Sequence, residues 1–278
     1  MKVNSAASQL YQPKKFIKLA VYDLKKSFGT AKSIFLQGIA QQYRYSTLGL
    51  FWAFIPCLVT AALLTLGERS RFLSAHKGAI PPQLYGIFGL IMAQTFLEAL
   101  NNQRTLFSNY RHLLSRQKFP MESLVLASLG QCIFGTLVRL AVLVLVFIIF
   151  LVTPATTAPL VLICLGLIVV LGTGIGLWLA PWNALSRDLE NIMNFFPWIL
   201  FAITPVFVPV SSDGVLYRIY QLNPLTHIFE AARWLAYGSG EFNIIILIVL
   251  LPVSIILLLT GWWFCRLCLP YVMERSLI

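Results

Sequence analysis

The sequence predicts an all-α integral membrane protein, a bundle of six membrane-crossing helices. Of its 278 residues 58% are hydrophobic and 11% are charged, where a soluble globular chain carries roughly 25% charged residues. The mean hydropathy is +0.79. Six apolar stretches, 48–66, 82–100, 121–152, 159–182, 192–210 and 244–265, are each long enough to cross a hydrocarbon layer of roughly 30 Å. Within them the apolar positions are continuous rather than alternating, which selects helices over a closed barrel. No soluble catalytic domain fits in the remainder.

Residues 1–45 read as a cytoplasmic amphipathic segment, and 46–278 as the six-helix membrane domain. The segment is basic, with Asp23 its one acidic residue. No uninterrupted apolar core precedes Leu48, so the segment is expected to be mature structure rather than a secretory signal. Phe16, Ala20, Val21, Leu24 and Phe28 share one face of a helix over 13–29; Lys14, Lys15, Lys18, Lys25 and Lys26 share the other. That pattern predicts a helix lying in the membrane interface. Gly29 is the expected stop, with a second short helix over 32–42.

The third apolar stretch is too long for one perpendicular crossing and must tilt, kink or begin as an interfacial turn. Pro120 suits its start, where no N–H is needed. The fifth contains Pro197, Pro205 and Pro209, so a straight helix there is costly. A broken helix is tolerated where neighbours or a water-filled cavity satisfy the freed backbone. After it, Asn223 is placed to cap, Pro224 to begin and Gly238 to end a helix over 223–237. Leu225, Ile228, Phe229, Ala232 and Leu235 give that helix an apolar face, so it is expected to dip into the outer leaflet.

The net charge is +11, unevenly spread. Lys2, Lys14, Lys15, Lys18, Lys25, Lys26, Lys32 and Arg44 precede the first stretch; Arg104, Arg111, Arg116 and Lys118 follow the second. Arg187 follows the fourth, and Arg266 and Arg275 the sixth. The positive-inside rule then places both termini in the cytoplasm. The basic excess reads as topology and attraction to anionic lipid, not as nucleic-acid binding.

Little in the chain resembles an active site. Gly29-Thr30-Ala31-Lys32-Ser33 lacks the glycines and the preceding strand of a phosphate-binding loop, so the chain has no nucleotide loop of its own. Cys265 and Cys268 have C-x-x-C spacing without a second pair, and all five cysteines read as small buried hydrophobes. His76, His112 and His227 fall in three different loops. No metal-ligand cluster and no nucleophile–base pair is visible.

Four features carry functional expectations. The segment 101–120 sets Leu106, Phe107, Tyr110, Leu113 and Leu114 at helical spacing, interleaved with Arg104, Arg111 and Arg116. It is expected to lie at the membrane surface and press on something else, or else to rest on headgroups. Arg187-Asp188-Leu189-Glu190 forms a short charged loop, either simply solvated or a place for a peripheral partner to dock. Arg139 sits inside the third stretch, either deep and functional or snorkelling to the outer interface. Glu98 is its candidate partner if deep, although Glu98 lies towards the cytoplasmic end of its own stretch, and that depth argues against the pair. Phe195, Phe196, Trp198, Phe201 and Phe207 offer aromatic faces on which sugar rings slide, or else they pack a core. Tryptophans near the ends of the stretches fit an interfacial belt.

Taken in order, several short motifs bear a family resemblance. Arg44-Tyr45-Ser46-Thr47-Leu48-Gly49-Leu50-Phe51-Trp52 with Pro56 resembles the start of the first span in permease subunits of ABC-type polysaccharide exporters. Lys118-Phe119-Pro120 resembles the start of their third span. Ser186-Arg187-Asp188-Leu189, Thr204-Pro205-Val206-Phe207, Asn223-Pro224-Leu225 and Arg233 follow in the family's order. Ile55 stands where family members commonly carry asparagine. The resemblance implies a homodimeric permease working with two separate ATPase subunits that hold ATP and magnesium, with no cofactor on this chain. Such permeases export lipid-linked O-antigen, capsule or teichoic-acid chains across the cytoplasmic membrane of bacteria.

The resemblance also implies roles. Over 101–115 a coupling helix would meet the ATPase through Arg104, Leu106, Phe107, Tyr110 and Arg111, with Arg187 and Asp188 beside it; Leu106, Phe107 and Tyr110 would be the anchors. A pyrophosphate-bearing lipid head would be met by Lys25, Lys32 and Arg44, or else these residues serve plain attraction to anionic lipid. The proline-weakened fifth stretch and the helix after it would form an outer gate involving Phe201, Phe207, Asn223 and Ile228, or else these residues pack the dimer interface. The alternatives are a permease of a drug or lipid ABC exporter and a secondary carrier. The latter would need more ionisable residues at the membrane midplane than Arg139 alone.

Overall fold

The computed structural model describes residues 13–44, 51, 55, 59, 62–63, 82–111, 120–207, 215–238 and 243–276. The elements among these residues are helical. In chain order they are α1 (Pro13–Tyr43), α2 (Pro82–Arg104), α3 (Leu106–Asn109), α4 (Met121–Ile149), α5 (Val161–Leu185), α6 (Arg187–Ile203), α7 (Val215–Leu222), α8 (Pro224–Tyr237) and α9 (Ile244–Ser276). One 3-10 turn, Ala158–Leu160, leads into α5.

Among the described residues four helical stretches are long and apolar enough to cross a membrane: Leu84–Arg104, Met121–Ile149, Ala158–Leu185 and Ile244–Arg275. They match the second, third, fourth and sixth predicted spans. The first predicted span lies almost entirely outside the described residues. The fifth needs correction. Helix α6 begins at Arg187, five residues before the predicted start, and ends at Ile203. With 17 residues it is about 26 Å long. Ser186 sets the start, its side chain accepting from the Asp188 N–H. Pro197 stays inside the helix, and the chain leaves it at Thr204-Pro205.

Helix α5 is central, packing most extensively against α9 and α2 and also against α8. Its Gly172, Gly174 and Gly176 make this possible. A Cβ on Gly176 would lie 2.5 Å from the Leu100 carbonyl oxygen of α2, and one on Gly174 would lie 2.9 Å from the Leu258 nitrogen of α9. Two helices therefore approach α5 at backbone distance on different faces. In a bilayer the lipid is as apolar as the side chains, so helices are held by close packing and polar contacts rather than by exclusion of water.

The chain does not break at Gly29. Helix α1 is continuous over 31 residues, and it packs mainly on α4. A helical glycine costs only about 1 kcal/mol, and packing on both sides of Gly29 outweighs it. The packed face is Ser27, Ala31 and Ile34, whereas Leu24 and Phe28 of the predicted apolar face stay exposed. Phe35 meets Gly130, and Gly38 meets Gln131. We call the end of the bundle where α1 docks, α2 finishes and α4 begins the proximal end, and the other the distal end. A main core of Phe88, Ile91, Phe96, Ile168 and Phe229, among others, fills the distal part. A second, built from Ile34, Leu106, Phe107, Leu124, Leu177 and Cys265, fills the proximal part.

Candidate functional site

Among the described residues three polar clusters interrupt this apolar bundle. The proximal one forms an elbow. The buried Arg104 at the end of α2 donates from Nη1 to Asn183 Oδ1 of α5 at 2.6 Å, and from Nε to Asn101 Oδ1 at 3.2 Å. Glu190 of α6 acts on the same guanidinium through space. Nearby, Arg266 of α9 bridges Asp23 of α1, at 2.8 Å, and Glu122 of α4. One arginine thus fastens three helices at the proximal end.

The expected partner-facing anchors belong to this elbow. Leu106 and Phe107 are buried in the proximal core, with Tyr110 packed against it. Burial pushes the Tyr110 phenol above its ordinary pKa, against the opposing effect of a hydrogen bond with Gln131. The expectation that Arg104, Leu106 and Phe107 project towards a partner is therefore corrected: they hold α2 to α4 and α5. A stripe of apolar residues states that a helix has an inner face, not which core receives it. The residues left outward on this turn are Ser108, Asn109 and Arg111. Residues 112–119 lie outside the described residues. Asp188 is exposed beside this elbow, and Arg187 begins α6.

The second cluster lies inside the membrane-spanning part. Arg139 of α4 pairs with Glu98 of α2 and donates to Thr95 Oγ1 at 3.4 Å. The expectation that depth would keep Arg139 and Glu98 apart is overturned. Helical side chains lean towards their own N-terminus. The two helices run antiparallel, so Arg139 leans proximally and Glu98 distally, and the gap between their Cα levels closes. Gly135 gives the carboxylate room, since a Cβ there would lie 2.6 Å from Glu98 Oε2.

The distal cluster centres on Arg233 of α8, 1% exposed. Its Nη1 donates to the Tyr85 hydroxyl and to Glu230 Oε1, both at 2.7 Å. Its Nη2 donates to the carbonyls of Pro205 at 2.9 Å and Val206 at 3.0 Å. These carbonyls follow the break after α6, so one guanidinium satisfies backbone groups that a proline-broken helix frees. Gly89 of α2 lets that turn approach, because a Cβ there would lie 2.1 Å from the Val206 oxygen.

The cap on α8 is as the sequence predicts. Asn223 Oδ1 accepts from the Leu225 N–H, and Gly238 closes the helix in the left-handed region. Asn223 Nδ2 also donates to the Ile203 carbonyl at 2.9 Å and to Thr204 Oγ1 at 2.8 Å, tying the cap to the end of α6. Helix α8 has 14 residues, about 21 Å, and its face of Leu225, Ile228, Phe229, Ala232 and Leu235 is buried. It is a half-length helix packed into the bundle.

The five path aromatics do not form one wall. Phe195 and Trp198 are 68% and 74% exposed and point away from the bundle. Phe196, Phe201 and Phe207 pack against the main core, with the Phe201 and Phe207 rings 5.6 Å apart. Helical periodicity splits the set. Ile228, expected at a gate, is wholly buried in that same core. Lys25 and Lys32 are exposed seven residues apart on one face of α1, and Arg44 is exposed just beyond its end.

In the sequence Arg233 counts among the basic residues of the outer side and closes the motif series, with no role of its own. Its signal was an arginine among the apolar residues of a short capped helix. A family model described as ABC-2 type transporter matches residues 31–237 of the chain. The chain belongs to the ABC-2 type transporter family. No curated protein matches it. As an ABC-2 membrane domain it is the permease component of an ABC transporter, and membership implies an ATPase partner. The matched region contains all of α2 to α8 and so spans the elbow, the Arg139–Glu98 pair and the Arg233 cluster.

Proposed function

We propose that this ABC-2 permease exports a lipid-linked polysaccharide, of O-antigen, capsule or teichoic-acid type, across the cytoplasmic membrane of a bacterium. It acts as a homodimer with two ATPase subunits that bind ATP and magnesium, and carries no cofactor itself. Six spans place both termini in the cytoplasm, so the proximal end is cytoplasmic and the distal end faces outward. The observation that carries this reading is the distal arrangement. A half-length helix is buried in the bundle and locked by Arg233 to the break after α6. A pair of such helices suits a gate wide enough for a chain of sugars.

The geometry supports a mechanism in which α2 is the link. The outward turn at Ser108, Asn109 and Arg111 takes the push of the ATPase, beside Asp188. Packing of Leu106 and Phe107 and the Arg104–Asn183 bond pass it into the bundle. Tyr85, at the other end of the same helix, holds the Arg233 cluster. Lys25, Lys32 and Arg44 present positive charge to the pyrophosphate of the lipid carrier at the cytoplasmic surface.

Deleting the gene tests the reading. Lipid-linked glycan is expected to accumulate on the cytoplasmic leaflet and to be lost from the cell surface. Normal surface glycan in the deletion strain, with a retained drug or membrane lipid instead, would select the alternative of a drug or lipid exporter.

A further inference from the structure

We infer that the proximal half of α2 lines a polar vestibule that receives the sugar portion of the substrate, a proposal that rests on the polysaccharide reading above. From Leu84 to Arg104, the positions of α2 that remain partly exposed are Gln94, Leu97, Glu98, Asn101 and Asn102, and Thr105 follows just beyond. All but Leu97 are polar. At 100° per residue the polar ones fall within an arc of roughly 100°. The rest of this helix is buried, and apart from Tyr85, Thr95, Gln103 and Arg104 it is apolar or small. A lipid-facing helix has the opposite polarity, apolar outside. Among the described residues the Gln94 and Asn102 amides have no hydrogen-bonding partner. Exposed to hydrocarbon, such amides are expensive. This face therefore looks onto water or a polar ligand.

The vestibule has an upper end. Gln94 lies ten residues above Arg104, about 15 Å along the helix, near mid-membrane. Beyond it Ile87 and Ile91 continue the same arc and are buried at 1% exposure each. The Arg139–Glu98 pair, with side chains 15% and 25% exposed, stands near this limit. The pair is neutral overall, and the other polar groups are amides and a hydroxyl. Primary amides both donate and accept, which matches sugar hydroxyls and offers no fixed charge on which a moving chain would stall. An anionic headgroup would instead need an unpaired cation, and Arg139 is already matched by Glu98.

The test uses the permease with its ATPase in inverted membrane vesicles, in a background without the native cysteines. Single cysteines replace Gln94 and Asn102, and Ile133 and Val144 on the exposed apolar face of α4 serve as controls. A membrane-impermeant maleimide is expected to label positions 94 and 102 at least tenfold faster than the controls, and maltoheptaose is expected to slow labelling at 102. In cells, Gln94→Leu combined with Asn102→Leu should insert and bind the ATPase normally yet export at least tenfold less glycan. Gln94→Asn with Asn102→Gln should restore export. Equal labelling at all four positions, or undiminished export by the inserted leucine variant, would overturn the vestibule. If the leucine variant fails to insert, the labelling arm decides alone. Wild-type cells separate the two readings: no glycan export there sinks the polysaccharide assignment itself, whereas wild-type export matched by the leucine variant sinks only the vestibule.

Discussion

The Arg233 guanidinium carbon lies 3.6 Å from the centroid of the Tyr85 ring, and Arg233 Nη1 donates to the hydroxyl of that same tyrosine at 2.7 Å. Tyr85 is therefore both a cation–π platform and a hydrogen-bond acceptor for one buried charge. Its hydroxyl in turn donates to Glu230 Oε1 at 3.1 Å. A planar fork is what this geometry uses, so lysine is no substitute.

Arg233→Lys is predicted to destabilise the protein by about 3 kcal/mol, because at least one backbone carbonyl and the ring lose their partner. Unfolding in mixed detergent micelles measures this. Arg218→Lys, at an exposed position of α7, should leave stability unchanged. Tyr85→Phe keeps the ring and removes the hydroxyl, and is expected to cost about 1–2 kcal/mol.

Glu98 and Arg139 should be energetically coupled. Glu98→Gln alone leaves a charged guanidinium without its carboxylate, and Arg139→Gln alone leaves the carboxylate unmatched. Together the two changes should cost less than the sum of the single ones, by about 1–3 kcal/mol in a double-mutant cycle. Strict additivity in unfolding measurements would show that the pair contributes nothing.

At the elbow two substitutions should separate folding from coupling. Phe107→Ala removes a side chain that is 4% exposed and is predicted to destabilise the bundle by about 3–4 kcal/mol. Arg111→Glu lies on the outward turn and should fold normally while weakening association with the ATPase. Co-purification measures the second effect and thermal unfolding the first. A stable Phe107→Ala protein with poor ATPase association would reverse these roles.

Gly176→Val should prise α2 from α5, since even a Cβ there overlaps the Leu100 carbonyl, while Gly166→Ala meets nothing within 4 Å. Folded yield in detergent should fall severely for the first and stay unchanged for the second.

How much the sequence disclosed depended on the reach of each interaction. The caps of α8 were legible because Asn223, Pro224 and Gly238 act on their own backbone neighbours. The fate of Gly29 was not, because a modest local penalty competes with packing that becomes visible only once α4 is in place. Leu106 and Phe107 showed an apolar stripe but not its destination. Glu98 stands out in the sequence as the candidate partner of Arg139, but Cα depth argues against the pair; the reason they meet lies in side-chain direction. Leu171-Gly172-Thr173-Gly174-Ile175-Gly176 held a further readable signal, small residues at spacing suited to close helix approach, which marks α5 as the central helix.

The acceptors of Arg233 have a consequence for how the permease tolerates change. Carbonyl oxygens of Pro205 and Val206 belong to the main chain and persist whatever side chains replace these two residues. Sequence drift at 205 and 206 therefore leaves the lock chemically intact so long as the turn is kept. Mutational access to it runs instead through Arg233, Tyr85 and Gly89, the last because any side chain there displaces the turn. A directed-evolution screen for permeases with a loosened outer end should collect its substitutions at these three positions, two of them nearly 150 residues away from the third.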